Sequence, residues 1–259
     1  DITRHIFENK LTDLWFELLL EMIIKSNFHA GHMLQQRANR YRGKVAFNVI
    51  KKGHVKTLSY DALWTLVKEV GRSISTFEIK YQKPVIGILT HNQLNSVLVD
   101  LACLSFGYRI IPLPLNATPE HIDYIIMHAE ITHLFVGGEM GIKLWSETQS
   151  KNSATIISLN NEKINPDSIT WEKFLEKGDS KKDFNIKDRL NSVNIQNIQT
   201  IMYTSGTTDN PKGIPFTNVN IISKRFSRAL ALPSIGSKDI FLCYLPLFHT
   251  FGRYFELMG

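Results

Sequence analysis

Cysteine is scarce in this chain. Cys103 and Cys243 stand alone in apolar surroundings, so no disulfide framework and no cysteine-based metal site can be read from spacing. Two buried free thiols are the expectation, and they point to a reducing compartment, the cytoplasm. Long hydrophobic runs are also missing. No stretch is apolar for long enough to span a bilayer, and the opening residues do not read as a signal peptide. There is no arginine-rich arm, zinc-finger spacing or RNA-binding signature, which argues against nucleic acid as a partner. Internal repeats and low-complexity tracts are lacking too, and with them the solenoid architectures.

What is present describes a globular enzyme-sized chain. Of 259 residues, 43% are hydrophobic and 21% charged, enough to bury a substantial core. Thirty basic residues stand against 24 acidic ones, a net charge of +6 spread along the chain. That balance suits a small anionic ligand such as a nucleotide. The chain starts on aspartate and stops inside "RYFELMG", which reads as a helix. Both ends lead us to expect an excerpt of a longer protein.

Residues from about Lys10 to Phe28 have helical periodicity, with Leu11, Leu14, Trp15, Leu18, Leu19, Met22 and Ile23 on one side and Asp13, Glu17 and Glu21 on the other. Packing against the main body or a partner chain is the expectation. A membrane-surface helix is the other reading, and its acidic polar face counts against it. A hairpin follows, "VAFNVI" and "VKTLSY" joined through Lys51–His54, and then a helix from Tyr60 to about Phe77.

From Pro84 the pattern alternates. Pro84–Thr90, Arg109–Leu113, "THLFVG" and "ATIISL" read as strands. Gln93–Phe106 and a segment started by Thr118-Pro119 read as helices, the first with a buried stripe of Leu94, Val97, Leu98, Leu101 and Ala102. Such alternation predicts an α/β fold, parallel strands with helices on both faces. Asn160–Asn197 is polar and lysine-rich, and reads as surface connection with one short helix around Trp171–Leu175. We therefore divide the chain into an amino-terminal helix (1–30), a first α/β subdomain (31–196) and the start of a second one (197–259).

The stretch "YTSGTTDNPKG", Tyr203–Gly213, holds two glycines, five hydroxyl side chains and a lysine. Glycine lets backbone N–H groups converge on an anion, Ser and Thr add hydroxyl donors, and Lys212 adds a positive charge. With Ile198–Tyr203 as a strand before it and Thr217–Ala231 as a helix after it, the expected arrangement is strand, phosphate-binding loop, helix. It is not a P-loop: Pro211 has no N–H to give where that motif has its second glycine, and Gly213 replaces the Ser/Thr that ligates magnesium. Of the histidines, His121, His128 and His133 have no ligand set around them and read as solvated or core side chains. A lone His249 at a helix start would read the same way.

The same eleven residues resemble the signature loop of the AMP-forming acyl ligases, usually Y-T-S-G-T-T-G-x-P-K-G. "LPLFHTFG", Leu245–Gly252, resembles that superfamily's acyl-pocket motif at a fitting distance. "LSYDAL" (Leu58–Leu63) and Ile86–Gly137, within which "GYRIIPLPLNATPEHIDYI" begins at Gly107, are similar to its amino-terminal region. The resemblance covers nearly all of the chain after Gly31 and is greatest to long-chain fatty-acid CoA ligases. Three positions depart from the pattern: Asp209 replaces a glycine, Asn218 a histidine and Asn197 an acidic residue. An Asp209 carboxylate about 6 Å from a phosphate would cost about 3 kcal/mol at an effective dielectric of about 20, so it has to point away.

The resemblance implies parallel sheets flanked by helices, the amino-terminal part of the large domain of an adenylate-forming enzyme. It implies a reaction in two halves, in which a carboxylic acid, a fatty acid by the aromatic character of "LFHTF", is activated by ATP to an acyl-adenylate and then passed to a thiol. The implied substrates are ATP with Mg2+ and coenzyme A. An acyl carrier protein in place of coenzyme A, or a catalytically silent nucleotide- or acyl-binding module, are the alternatives. By the same resemblance Thr204, Ser205, Gly206, Thr207, Thr208 and Lys212 would hold the β- and γ-phosphates, with Thr204 near the metal. His249 would sit beside the substrate carboxylate, and Phe248, Phe251 and Gly252 would shape the acyl pocket. The family's adenine, ribose and carboxy-terminal catalytic-lysine elements are not found here, so residues 1–259 alone are expected to be inactive. Cytoplasmic residence, with peripheral membrane contact as an option, completes the expectation.

Overall fold

The computed structural model describes residues 5–6, 8–51, 53–79, 82–149, 153–204, 210–232, 234–236 and 238–257. Helix α1 (Thr12–Lys25) is followed by α2 (Ala30–Arg40) and by the antiparallel hairpin β1 (Val45–Lys51) and β2 (His54–Ser59). Helix α3 (Tyr60–Ser75) leads into β3 (Val85–Leu89), α4 (Leu94–Phe106) and β4 (Arg109–Pro112). Then come α5 (Pro119–His128), β5 (His133–Val136), α6 (Gly138–Glu147) and β6 (Thr155–Ser158). Helices α7 (Trp171–Gly178) and α8 (Ile186–Asn191) precede β7 (Ile198–Thr204), β8 (Lys212–Thr217) and α9 (Asn218–Ala231). A π-helical stretch, Gly252–Leu257, closes the described chain.

The principal sheet has six strands in the order β6-β5-β3-β4-β7-β8. Strands β3 to β7 run parallel, and β8 turns back antiparallel to β7 at the edge. Strand side chains alternate between two cores, as a pleat with both faces covered requires. Ile86, Ile110, Phe135, Ile157 and Met202 face one core with α3, α4 and α7. Leu89, Ile111, Leu134, Ile156 and Tyr203 face the other with α5 and α6. A fully buried aliphatic side chain of this kind contributes about 1.5–3 kcal/mol, so these two layers dominate stability.

The α/β architecture expected from the alternation is the one observed, and the hairpin, α3, α4 and α5 lie where expected within a residue or two. Four features differ. Helix α2 was not anticipated, because its eleven residues AGHMLQQRANR offer only Leu34 and Ala38 as clear buried contacts beside Ala30 and Gly31. Helix α6 was not anticipated either, because the Gly137-Gly138 pair that opens it reads as a turn, and Gly138 is indeed left-handed (φ 68°). The segment 160–197 is more than a surface connection: it has a second helix, and Phe174, Phe184, Leu190 and Ile195 reach the first core. Arg189 of α8 also bonds Glu78 through two nitrogens, one at 2.9 Å, and the Tyr108 hydroxyl donates to Glu78 at 2.9 Å.

The fourth difference concerns α1. Ile23 is buried and Leu19 packs inward, but Leu14 (55% exposed), Met22 (64%), Leu11 and Leu18 face outward. Only part of the expected apolar stripe is covered. Among the described residues no helix is long and apolar enough to cross a membrane.

Candidate active site

Parallel strands present their carboxyl ends on one edge, where open α/β sheets take ligands. Here β3 ends at Leu89 and runs on into Thr90–Asn92, β4 ends at Pro112 and β7 at Thr204. The expected phosphate loop leaves this edge. Ser205, Gly206, Thr207 and Thr208 lie outside the described residues, as does Asp209. Its two rims are described: Thr204 pairs with Lys212 across the β7–β8 ladder, and both are exposed.

The loop therefore joins two antiparallel strands and does not lead directly into a helix. Because β8 runs back along β7, the amino terminus of α9 lies one strand length, about 20 Å at 3.3 Å per residue, from the loop. The expected strand–loop–helix arrangement is corrected on this point. The positive end of α9 does not serve the loop, and Lys212 is the cation at its mouth. The α9 start is capped locally instead, by Thr217 and Asn220 in a reciprocal box.

Tyr203 anchors the base of the loop. Its ring is buried, its hydroxyl meets His128 Nδ1 at 2.7 Å, and burial aided by Tyr124 pushes its phenol up to about 12. Gly213 is the residue opposite in the ladder. A Cβ there would come within 2.9 Å of Ile201 Cγ2 and 3.2 Å of the Tyr203 ring, so glycine is needed for the hairpin to close over that ring. Asn218, found where relatives of the motif carry histidine, is fully buried and donates to Gln199 Oε1 at 2.9 Å. It is a core residue here.

The second motif docks on the same edge. The Asn92 amide donates to the Leu245 carbonyl at 2.7 Å and accepts from the Leu247 N–H at 3.1 Å, so one side chain reads the segment as a neighbouring strand would. Phe248 then turns inward, over a small recess lined by Ile88, Thr90, Ser96, Asp100, Pro112, Leu113 and Leu247. His249 is exposed, and its Nδ1 accepts from the Phe251 N–H at 3.3 Å. That contact leaves Nε2 to carry the ring proton, a donor suited to a carboxylate. Phe251 is 51% exposed. Gly252 is buried, and a Cβ there would lie 2.6 Å from the Pro246 carbonyl oxygen and 2.7 Å from that of Leu245.

Beneath both motifs lies an ion pair that sequence reasoning did not find. Asp100 of α4 takes both Nε (2.8 Å) and Nη2 of Arg253, and Arg253 Nη1 donates to Thr200 Oγ1 at 2.8 Å. The Thr200 hydroxyl in turn donates to the Ile110 carbonyl at 2.6 Å. Arg253 is fully buried. Burial works against its charge, and the Asp100 carboxylate more than offsets this, holding its pKa above the ordinary arginine range. The one available signal was a single aspartate inside the apolar run "VLVDLACL", since a buried charge requires a partner.

Thr204 supplies a hard hydroxyl oxygen at the exposed edge, of the kind Mg2+ accepts beside phosphate oxygens. Among the described residues no group of three or more His, Cys, Asp or Glu side chains could hold a metal by itself. The donor set thus fits a cation delivered with a polyphosphate. Neither Cys103 nor Cys243 is in a disulfide; Cys103 is buried as expected, whereas Cys243 is only partly buried, and burial, aided by Asp100, pushes the Cys103 thiol well up.

Comparison with known proteins agrees with this geometry. The model of a family described as AMP-binding enzyme matches residues 34–259. Long chain acyl-CoA synthetase 5 of Arabidopsis thaliana is 28% identical over 233 residues, 84% of this chain and 34% of that protein. Long chain acyl-CoA synthetase 3 of the same plant is 31% identical over 223 residues, 80% of this chain and 32% of that one. Among solved structures, the O-succinylbenzoate coenzyme A synthetase of Bacillus subtilis in complex with AMP aligns with a TM-score of 0.60 at 19% identity. That alignment covers 85% of this chain and 51% of that one, and it shows a shared fold. The chain spans about a third of the length of the curated relatives it matches. With the family model spanning all but the first 33 residues, the chain belongs to the AMP-binding enzyme family.

Proposed function

We propose that this chain is part of an AMP-forming acid–CoA ligase that activates a fatty acid with ATP. The observation that carries the reading is the placement of two motifs on one sheet edge. The rims of the phosphate-loop candidate, Thr204 and Lys212, and the His249 segment both open at the carboxyl ends of the parallel strands, and Arg253 joins them through Thr200. Tyr203 and Phe248 also belong to one packed cluster.

In the proposed reaction a carboxylate oxygen of the acid forms a bond to the α-phosphorus of ATP. The bond from that phosphorus to the bridging oxygen breaks, and pyrophosphate leaves with the electron pair. Lys212, with Ser205, Gly206, Thr207 and Thr208, would hold the leaving group, since charge neutralisation and positioning do most of the work in such transfers. Thr204 would hold Mg2+, whose chemistry when bound is to neutralise phosphate charge. The Nε2–H of His249 would donate to the acid's carboxylate, and Phe248 would line the acyl pocket. Gly252 would shape that pocket by allowing the tight fold of Leu245–Arg253, and the half-exposed Phe251 would stand at its edge. The thiol of coenzyme A would then attack the acyl carbonyl and release AMP.

The relatives' names support a long acyl chain and coenzyme A as acceptor. The lack of a disulfide at Cys103 and Cys243 supports residence in the reducing cytoplasm, and the uncovered stripe of α1 supports peripheral contact with a membrane. The reading is tested by ATP–pyrophosphate exchange with the full-length protein and a series of carboxylic acids. Exchange that depends on medium or long fatty acids is expected. Nucleotide turnover to ADP, or exchange indifferent to added acid, would overturn it.

A further inference from the structure

We propose that Asp100 and Arg253 form a positioning clamp, which sets Phe248 and His249 relative to the phosphate-bearing strand β7 and thereby fixes how the carboxylic acid seats. The inference rests on the adenylation reading above and assigns that site two positioning residues from outside the motifs.

Asp100 is 5% exposed and Arg253 not at all, so two ions have been taken almost wholly out of water. Replacing such a pair with apolar side chains of similar volume is often neutral or stabilising, so fold stability alone is a poor reason for it. What a guanidinium supplies that a hydrocarbon cannot is a planar fork of directed donors. The donors of this fork reach two different elements. Nε and Nη2 meet Asp100 on α4, and Nη1 meets Thr200 on β7, which in turn bonds Ile110 on β4.

The backbone of Arg253 completes the device. Its N–H donates to the His249 carbonyl at 3.0 Å, so an orientation imposed on the guanidinium is passed to the histidine four residues earlier. The π-helical stretch that begins at Gly252 carries Arg253 inward. Asn92 holds the other end of the segment through Leu245 and Leu247. Phe248 and His249 are suspended between the two fastenings. The Asp100 carboxylate also lines the recess beneath Phe248, so the clamp forms part of the pocket floor. Thr200 lies four residues before Thr204 on the same strand. One buried network thus links the acid's seat to the rim of the phosphate loop.

The test uses the full-length protein, palmitate as the probe acid, and two variants: Arg253→Lys and the double variant Asp100→Leu with Arg253→Met. Melting temperature, the KM for palmitate and for ATP in pyrophosphate exchange, and palmitate binding by calorimetry are measured together. The double variant should melt at or above the wild-type temperature, because packed apolar groups replace the ion pair. Its KM and Kd for palmitate should nevertheless rise about tenfold or more, with the KM for ATP within about twofold, since misplacement of the acid seat affects one substrate. Arg253→Lys, which keeps the charge but loses the fork, should fall between. A double variant with wild-type melting and wild-type palmitate constants would overturn the clamp. A wild-type protein that binds palmitate without exchange would refute adenylation alone, and the variants' binding constants would still decide the clamp. A wild-type protein that binds no palmitate would sink both.

Discussion

The Tyr203 hydroxyl and His128 Nδ1 lie 2.7 Å apart, joining the first residue of the phosphate-loop motif to the last turn of α5, 75 positions earlier. The two rings meet edge to face at 5.9 Å, and the Tyr124 ring stacks on His128 from the other side. Tyr203→Phe keeps the ring and removes the contact. It should cost about 1 kcal/mol of stability and raise the KM for ATP by a few-fold, because the loop loses its fastening at the base. Thermal unfolding and exchange kinetics, measured on one preparation, check both effects. A variant with unchanged ATP kinetics would show that the contact serves the fold alone.

Lys212 should separate chemistry from stability. It is exposed at the loop mouth, opposite Thr204. Lys212→Ala should lower kcat/KM for pyrophosphate exchange about ten- to hundredfold, the worth of a charge-assisted contact to a departing anion. The melting temperature should not move. Wild-type exchange in this variant would make the lysine an ordinary solvated side chain.

Gly252 is the steric test of the acid-side segment. With carbonyl oxygens 2.6 and 2.7 Å from the place of a Cβ, Gly252→Ala forces Leu245–Pro246 away. The shift should disturb the Asn92 contacts, cost about 1–3 kcal/mol and raise the KM for the acid more than that for ATP. Equal rises for both substrates would indicate general loosening of the edge.

His29 sets an acid limit on stability. It is fully buried, donates from Nε2 to the Leu190 carbonyl at 3.0 Å and accepts at Nδ1 from the Gly31 N–H at 3.1 Å. Burial, opposed by the Leu190 contact and reinforced by repulsion from His32, lowers its pKa from 6.5 to about 4. The folded value lies below the unfolded one, so the unfolded chain binds protons first. Stability should fall as pH drops from about 6.5 towards 4, by up to about 3 kcal/mol from this residue. His29→Asn keeps an acceptor at the helix cap and should flatten the acid limb of a denaturation series. An unchanged slope would assign the acid sensitivity elsewhere, the half-buried His133 being the next candidate.

Much of this architecture was legible because short runs of Val, Ile and Leu alternate with helices of regular period. What escaped the sequence escaped for local reasons. Strand β8, KGIPFT, has only Ile214 and Phe216 as strand formers and a proline between them, which an edge strand tolerates and an inner one would not. Missing β8 turned a hairpin into a strand–helix turn. The candidate site was legible wherever residues are contiguous, as in Tyr203–Gly213 and Leu245–Gly252. Asn92, Asp100 and Arg253 were not, because 153 to 155 positions separate the contacts between α4 or its approach and the acid-side segment. No periodicity encodes a partner that far away.

The ladder between β7 and β8 also constrains how this chain can change in length. Thr204–Lys212 is the last rung before the loop, and each rung below it fixes which face of the sheet a β8 side chain meets. Phe216 points to the first core and approaches the Tyr254 ring at 5.8 Å. One residue inserted or deleted between Gly213 and Phe216 would turn that ring to the opposite face, because side chains alternate with a period of two. The same change within 205–211 leaves every rung in register. Sheet pairing therefore fixes the length of β8 but not that of the segment before it, whose length would be held instead by the phosphates it meets.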